Sequence, residues 1–255
     1  SPSGGPDMTT EAFLARVPEV SLLALRVVDI AEIGSATRVI RLGGDDLGAF
    51  DYAVGQDLMF VVNTANGRII RRRYTIRRFD PVDRVLDLHM VTESDGPGAT
   101  WVRALNVGDT VEAIGPRGKI TIADGVDEHL FIGDDVSAPA IAAMVEALPA
   151  GSSATVVVEI AEPVDELKID PAYDIDVAWT WLHRNGRPAG EPDALMSAVG
   201  AVSLPDGVHA YVFGEARVVL AISAALKERG VERLSPKAYW GRGRANASHG
   251  EPLKS

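Results

Sequence analysis

The sequence predicts two domains of different class: a six-stranded antiparallel β-barrel, then an open, largely parallel α/β domain. Three observations carry that expectation. From Val20 to Ile122 the chain reads as short β-type runs broken by turn residues. From Leu130 onward, strand-like runs alternate with helical ones. Between the two lies Ala123–Glu128, a polar stretch rich in turn formers. The expected boundaries are 20–124 for the barrel and 125–245 for the α/β domain. Residues 1–19 are set aside as an N-terminal segment whose Ser1–Pro6 reads as a tag remnant before Met8, and 246–255 as a tail.

Thr9 to Leu14 reads as a short helix with Thr10 as its N-cap. Barrel strands are expected at Leu22–Ile30, Thr37–Leu42, Leu58–Val62, Arg73–Phe79, Val85–Val91 and Thr110–Ile114. Gly43-Gly44, Asn66-Gly67 and Pro81-Val82-Asp83 supply the turns, since Gly accepts positive φ and Pro presets its own. Six strands at regular spacing with one helix fit a small closed barrel. In the second half, strands are expected at Leu130–Ile132, Thr155–Ile160, Val177–Leu182 and Tyr211–Glu215. Helices are expected over Ala138–Leu148, Ala194–Val199 and from Glu215 to about Arg229, and Tyr239-Trp240 lies on a short extended segment after Pro236.

Composition narrows the chemistry. The chain has 255 residues, 46% of them hydrophobic, enough for a sizeable core. A formal net charge of −11 argues against nucleic acid or an anionic membrane as the main partner. The absence of cysteine excludes disulfides, thiolate metal sites and cysteine-ligated iron–sulfur clusters. Five scattered histidines show no metal-binding spacing, so no protein-built metal site is expected. No apolar run has the length of a membrane span and no export signal is visible, which points to the cytoplasm.

Against that acidic background, six arginines fall within Arg68–Arg78. Arg71, Arg73 and Arg77 would share one strand face, and Arg72, Tyr74 and Ile76 the other. Composition alone reads this as a charged edge strand facing water. Downstream stand His89 and Gly96-Pro97-Gly98-Ala99-Thr100-Trp101, a turn feeding a short helix whose free N–H groups suit a phosphate. Gly133-Asp134-Asp135 ends a strand, and Pro139 sits in the first turn of the next helix. No Gly-x-Gly-x-x-Gly fingerprint is present, so an ordinary Rossmann site is not expected.

The order of these motifs resembles the siderophore-interacting (ferric-siderophore reductase) family of ferredoxin-reductase-like flavoproteins. Arg72-Arg73-Tyr74-Thr75 fits the Arg-x-Tyr-Thr/Ser motif of that superfamily. Gly96–Trp101, Gly133–Ala140, Trp181-Leu182-His183-Arg184, Gly214-Glu215 and Ala238-Tyr239-Trp240-Gly241-Arg242-Gly243 resemble the family's further motifs. Gly241 stands where the family usually has arginine, and Ala238 where it usually has glycine.

The resemblance implies a flavin-binding barrel, a nucleotide-binding α/β domain, and reduction of ferric siderophore by an FAD enzyme. An arginine fork suits phosphate and a tyrosine ring suits the isoalloxazine, while Thr75 would reach the atom through which electrons pass. Thr75 and Tyr74 are thus the implied catalytic pair. FAD would be held by Arg72, Tyr74, Thr75, His89, Gly96, Gly98, Ala99, Thr100, Trp101, Asp134, Tyr239 and Trp240. NADPH or NADH would meet Gly133, Asp134, Arg184, Arg187 and Glu215, although Arg184 and Arg187 equally suit plain loop arginines. Arg73, Lys119 and Arg242, with Arg71 and Arg244 nearby, would form the patch for an anionic ferric siderophore. Reduced ferredoxin is an alternative donor, and a monomer is expected. The rival readings are a general flavin reductase with another acceptor and a non-catalytic flavin- or siderophore-binding protein.

Overall fold

The computed structural model describes residues 14, 20–65 and 68–243. The helix expected from Thr9, the turn at Asn66-Gly67, Arg244 and the 246–255 tail lie outside the described residues, apart from a helical Leu14.

Six antiparallel strands close into a barrel: β1 (Ser21–Ile33), β2 (Thr37–Gly43), β3 (Asp57–Ala65), β4 (Arg68–Asp80), β5 (Val85–Val91) and β6 (Thr110–Arg117). Their order is β1-β2-β5-β4-β3-β6, and β6 returns to pair with β1. Alternation drives this. Leu23, Leu25 and Val27 of β1 point inward to meet Ile40, Leu58, Phe60, Ile76 and Leu88, while their sequence neighbours face water. Between β5 and β6, helix α1 (Pro97–Ala104) buries Val102 against that core.

The α/β domain follows as β7 (Glu128–Asp134), α2 (Ala138–Glu146), β8 (Ser153–Ile160), β9 (Asp176–His183), α3 (Asp193–Ala201), β10 (His209–Glu215), α4 (Ala216–Glu228) and β11 (Arg233–Trp240). All five strands run parallel, in the order β11-β10-β7-β8-β9. The central strands β7, β8 and β10 are buried on both faces, as parallel strands usually are, while the edge strand β9 leaves one face open. Leu130, Ile132 and Val157 pack under α3 and α4, while Phe131, Val156 and Val158 pack under α2. The chain leaves β7 in one direction and resumes at β10 on its other side. That makes the β7–β10 boundary the switch point, where a crevice opens at the strand ends.

Two differences from expectation have physical causes. Tyr239-Trp240 belongs to a full strand, not a short segment; Pro236 is tolerated inside it because β11 is the sheet edge. On β4, a register shift between Ile76 and Arg78 interrupts the expected simple division of faces. Arg77, expected beside Arg71 and Arg73, is only 3% exposed and forks onto Glu146 at the end of α2, at 2.5 and 2.8 Å. Val54, Ile120 and Ile122 from the barrel side pack into the α2 core, so the two halves share apolar surface as well as charge.

Candidate functional site

A cleft of about 670 Å³ lies between the two halves. Its barrel wall is built from β4, the end of β5 and the start of α1; its other wall comes from the start of α2, the loop at Ala189 and the segment Tyr239–Gly243. Such a volume accommodates a cofactor-sized ligand.

Arg72, Arg73, Tyr74 and Thr75 all border this cleft, although they alternate in parity along β4. The second domain explains why. It closes over the strand, so that the Thr75 and Tyr239 hydroxyls lie 3.4 Å apart. Arg73 Nε lies 3.5 Å from Asp57, whose other oxygen lies 3.3 Å from the buried Lys237 of β11. The Lys237 ammonium in turn sits 4.7 Å from the centre of the Tyr239 ring.

Behind Tyr74, Trp101 stacks at 6.3 Å and 22°, and Phe60 backs Trp101 at 5.3 Å. Trp101 therefore supports the tyrosine from the barrel core and does not border the cleft, contrary to a direct cofactor role. Thr100 points to water, where its hydroxyl accepts from Arg103 at 3.3 Å. Gly96, Gly98 and Ala99 do border the cleft. A Cβ on Gly98 would fall 2.9 Å from the Tyr74 hydroxyl and 3.1 Å from Arg72 Cγ, so the helix start approaches both side chains only because that atom is missing.

Electrostatics favour a cofactor with one charged and one flat end. The free N–H groups of the α1 start and the Arg72 guanidinium together suit a pyrophosphate. His89 borders the same space with its Nδ1 buried and unbonded. Burial, with Arg77 adding to it, lowers the His89 pKa to about 4, so the ring is neutral at pH 7 and keeps hydrogen-bonding capacity for a ligand. Burial likewise raises the Tyr74 phenol well above its ordinary value, which keeps the ring uncharged for stacking. A phosphate-bearing aromatic cofactor fits these residues.

Several residues expected to touch ligand are occupied elsewhere. Asp134 is buried and accepts from Trp240 Nε1 at 2.7 Å, Glu215 N at 3.0 Å and Ser137 N at 3.1 Å. Burial and the neighbouring Asp135 push its pKa up to about 7, against hydrogen bonds from Trp240 and Ser137 that pull it down. Glu215 caps α4, accepting from Arg217 N at 2.7 Å and Val218 N at 3.0 Å, and also holds Arg242 N at 3.0 Å. Gly133 packs against α2; a Cβ there would lie 2.5 Å from Ile141 Cδ1. Arg184 is 4% exposed and pairs through Nη2 with Asp135 at 2.6 Å, and its Nη1 is buried without a hydrogen-bond partner. Arg187 is exposed but folds back onto the carbonyls of Arg184 and His183, at 3.1 and 3.2 Å. Lys119 is exposed and away from the cleft, whereas Arg242 borders it and pairs with Glu191.

Sequence reasoning missed Val91, Glu93, Ser94, Val136 and Ala189, which complete the lining. Val91 ends β5 and Glu93 and Ser94 follow it; their place opposite the α2 start comes from domain packing, which leaves no local pattern. The Asp57–Lys237 pair was also missed, because a contact spanning 180 residues leaves no local pattern. Among the described residues, no His, Asp and Glu cluster could hold a metal ion, and no helix is long and apolar enough to cross a membrane.

A barrel and a parallel α/β sheet joined across such a cleft define the ferredoxin-reductase-like class. A ferredoxin-NADP+ reductase from Plasmodium falciparum shares this fold, with a TM-score of 0.68 at 12% identity over 86% of this chain and 96% of that one. Within that class the chain belongs to the siderophore-interacting protein family. The family's siderophore-interacting FAD-binding domain matches residues 53–120, and its siderophore-interacting protein domain matches 126–243. The solved structure of a siderophore utilization protein from T. fusca is 30% identical and superposes with a TM-score of 0.79, covering 91% of this chain and 97% of that one. An uncharacterised protein of Mycobacterium tuberculosis is 32% identical over 187 residues; the match covers 68% of this chain and spans 65% of that relative's length. The ferric vibriobactin reductase ViuB of Vibrio cholerae is 27% identical over 189 residues, covering 71% of this chain and 68% of the reductase.

Proposed function

We propose that this protein is an FAD-dependent ferric-siderophore reductase, drawing electrons from NAD(P)H or reduced ferredoxin and acting as a cytoplasmic monomer. The observation that carries the reading is the convergence of Arg72, Tyr74, Thr75 and the α1 start on one wall with Tyr239 and Trp240 on the other. The likeness to a ferric vibriobactin reductase supports the same chemistry.

In this reading Arg72 and the N–H groups of Gly98 and Ala99 bind the pyrophosphate, and His89 offers its neutral ring to the same cofactor. Tyr74, braced by Trp101, would lie along the flat ring system of the bound cofactor, and Thr75 would face its reactive edge. Tyr239 and Trp240 close the other side and exclude water. FAD, when bound, supplies the conversion between a two-electron donor and a one-electron acceptor. A nicotinamide nucleotide would enter from the crevice at the ends of β7 and β10, with Arg187 proposed as a basic group for its nucleotide end. Arg242 and Arg73 attract the anionic ferric chelate. Overall, one NAD(P)H loses a hydride, two ferric ions each gain one electron, and one proton is released. The lower charge of ferrous iron weakens its attraction to oxygen donors, and the chelator lets it go.

The test compares turnover of NADH, NADPH and reduced ferredoxin against ferric chelates, a quinone and free flavin. A higher kcat/KM for ferric chelates than for the other acceptors supports the proposal. A preference for quinone or free flavin would make this a general flavin reductase instead.

A further inference from the structure

Asp134 ends β7 at the switch point and makes more contacts than a helix cap needs. Oδ1 accepts from Ser137 N and Ser137 Oγ, each at 3.1 Å, and with the Asp134 N–H donating to Ser137 Oγ at 2.9 Å these bonds fix the turn into α2. Oδ2 reaches the other way. It accepts from the Glu215 backbone at 3.0 Å and from the Trp240 indole at 2.7 Å. One carboxylate thereby joins the start of α2, the end of β10 and the end of β11.

The backbone around it is shaped for that reach. Gly214 has φ +133, and a Cβ there would lie 2.6 Å from Asp134 Oδ2. Gly190 has φ +78, and a Cβ there would lie 3.0 Å from Trp240 Cη2 and 3.1 Å from Glu215 Cγ. Both glycines leave room where any other residue would displace Asp134 or the indole. The indole is thus seated between the Gly190 loop and Asp134, and its ring forms part of the cleft wall. A partly buried indole N–H without its acceptor loses most of what holds the ring in one rotamer.

We propose that Asp134 is a positioning residue for the cofactor site, fixing the Trp240 indole and the residues that follow it as the wall supplied by the second domain. It touches no reacting atom and acts through Trp240. The inference rests on the reading that FAD occupies the cleft.

The experiment is a thermodynamic cycle on FAD affinity, titrating FAD into the deflavinated wild type, D134A, W240F and D134A/W240F, since alanine leaves the indole no acceptor whereas asparagine would keep one. Each single variant should bind FAD about tenfold more weakly, the scale of one lost buried hydrogen bond to a charged group. The double variant should bind no more weakly than the weaker single, because both changes break one contact. Near-ultraviolet circular dichroism of the cofactor-free proteins should show the same loss of tryptophan signal in both singles, which a loss of overall stability alone does not produce. Losses that simply add in the double variant would overturn the proposal. Should D134A not fold, W240F decides alone, since it leaves the carboxylate in place; unchanged FAD affinity there overturns the proposal. A wild type that binds no FAD sinks the cleft reading itself, whereas a flavin-binding wild type with unaffected variants sinks only the role of Asp134.

Discussion

Arg77 on β4 and Glu146 at the end of α2 meet through a two-point ion pair, Nη1 to Oε2 at 2.5 Å and Nη2 to Oε1 at 2.8 Å. The arginine side chain is 2% exposed and the glutamate 12%. This pair joins the strand that carries Arg72 and Tyr74 to the end of α2, the helix whose Pro139 borders the cleft. Replacing Arg77 with methionine should destabilise the protein by about 3 kcal/mol, because a buried carboxylate is left without its main partner. Arg78, 3.3 Å away, keeps the loss toward the low end of that range. Urea unfolding checks it, and a change under about 0.5 kcal/mol would mean the pair is incidental.

His89 should make stability depend on acid. Its folded pKa is lowered to about 4 from 6.5, chiefly by burial. The folded state therefore binds fewer protons than the unfolded chain between those two values. Stability from this group is fully present above pH 6.5 and is lost as pH falls through 4. Unfolding curves of wild type and H89Q across that window should diverge, with the wild type losing more stability on acidification. Parallel curves would contradict the assigned environment.

Gly98 separates cofactor binding from folding. A methyl group there would press on the Tyr74 hydroxyl and Arg72. G98A should weaken FAD binding by about tenfold, equivalent to about 1.4 kcal/mol. Its unfolding midpoint should fall only slightly, since alanine's helix preference of up to about 1 kcal/mol over glycine offsets part of the crowding. Equilibrium dialysis with FAD, run beside thermal unfolding, distinguishes the two effects. Unchanged affinity would place the pyrophosphate elsewhere.

Arg242 is half-exposed at the cleft and paired with Glu191. R242A should raise KM for an anionic ferric chelate several-fold while leaving bound flavin intact, and E191Q should lower KM by freeing the cation. Both shifts should shrink as ionic strength rises. Steady-state kinetics at two salt concentrations check this, and an unmoved KM in R242A removes the residue from the docking surface.

Much of the fold was legible because its drivers are local. Leu23, Leu25 and Val27 announce β1 by alternation, and the runs through Phe131, Val157 and Tyr211 announce buried parallel strands. Closure of β6 onto β1 was inferred from strand number, since no local signal records which ends meet. Pro236 hid the length of β11, because proline argues against a strand until the strand is known to be an edge. For the site, the Arg72–Thr75 motif and the Gly96–Ala99 turn stand out in the sequence as residue types with specific chemistry, and both border the cleft. Asp134, Glu215 and Arg184 lie at strand ends, and each takes a partner that no local pattern announces: Trp240 for Asp134, Arg242 N for Glu215 and Asp135 for Arg184. Carboxylates and guanidinium that suit a ligand suit a buried hydrogen bond equally well. Only packing decides between them.

The central claim is that the arginine-bearing strand and the Tyr239-Trp240 segment enclose a redox-active flavin that passes electrons to chelated iron. Anaerobic visible absorbance of the FAD-loaded protein tests it most directly. The account predicts that NADH, NADPH or reduced ferredoxin bleaches the flavin band, that ferric chelate restores it with ferrous iron appearing in step, and that R72A/Y74A retains little flavin. Full flavin retention in R72A/Y74A, or a reduced flavin that ferric chelate fails to reoxidise, would contradict it.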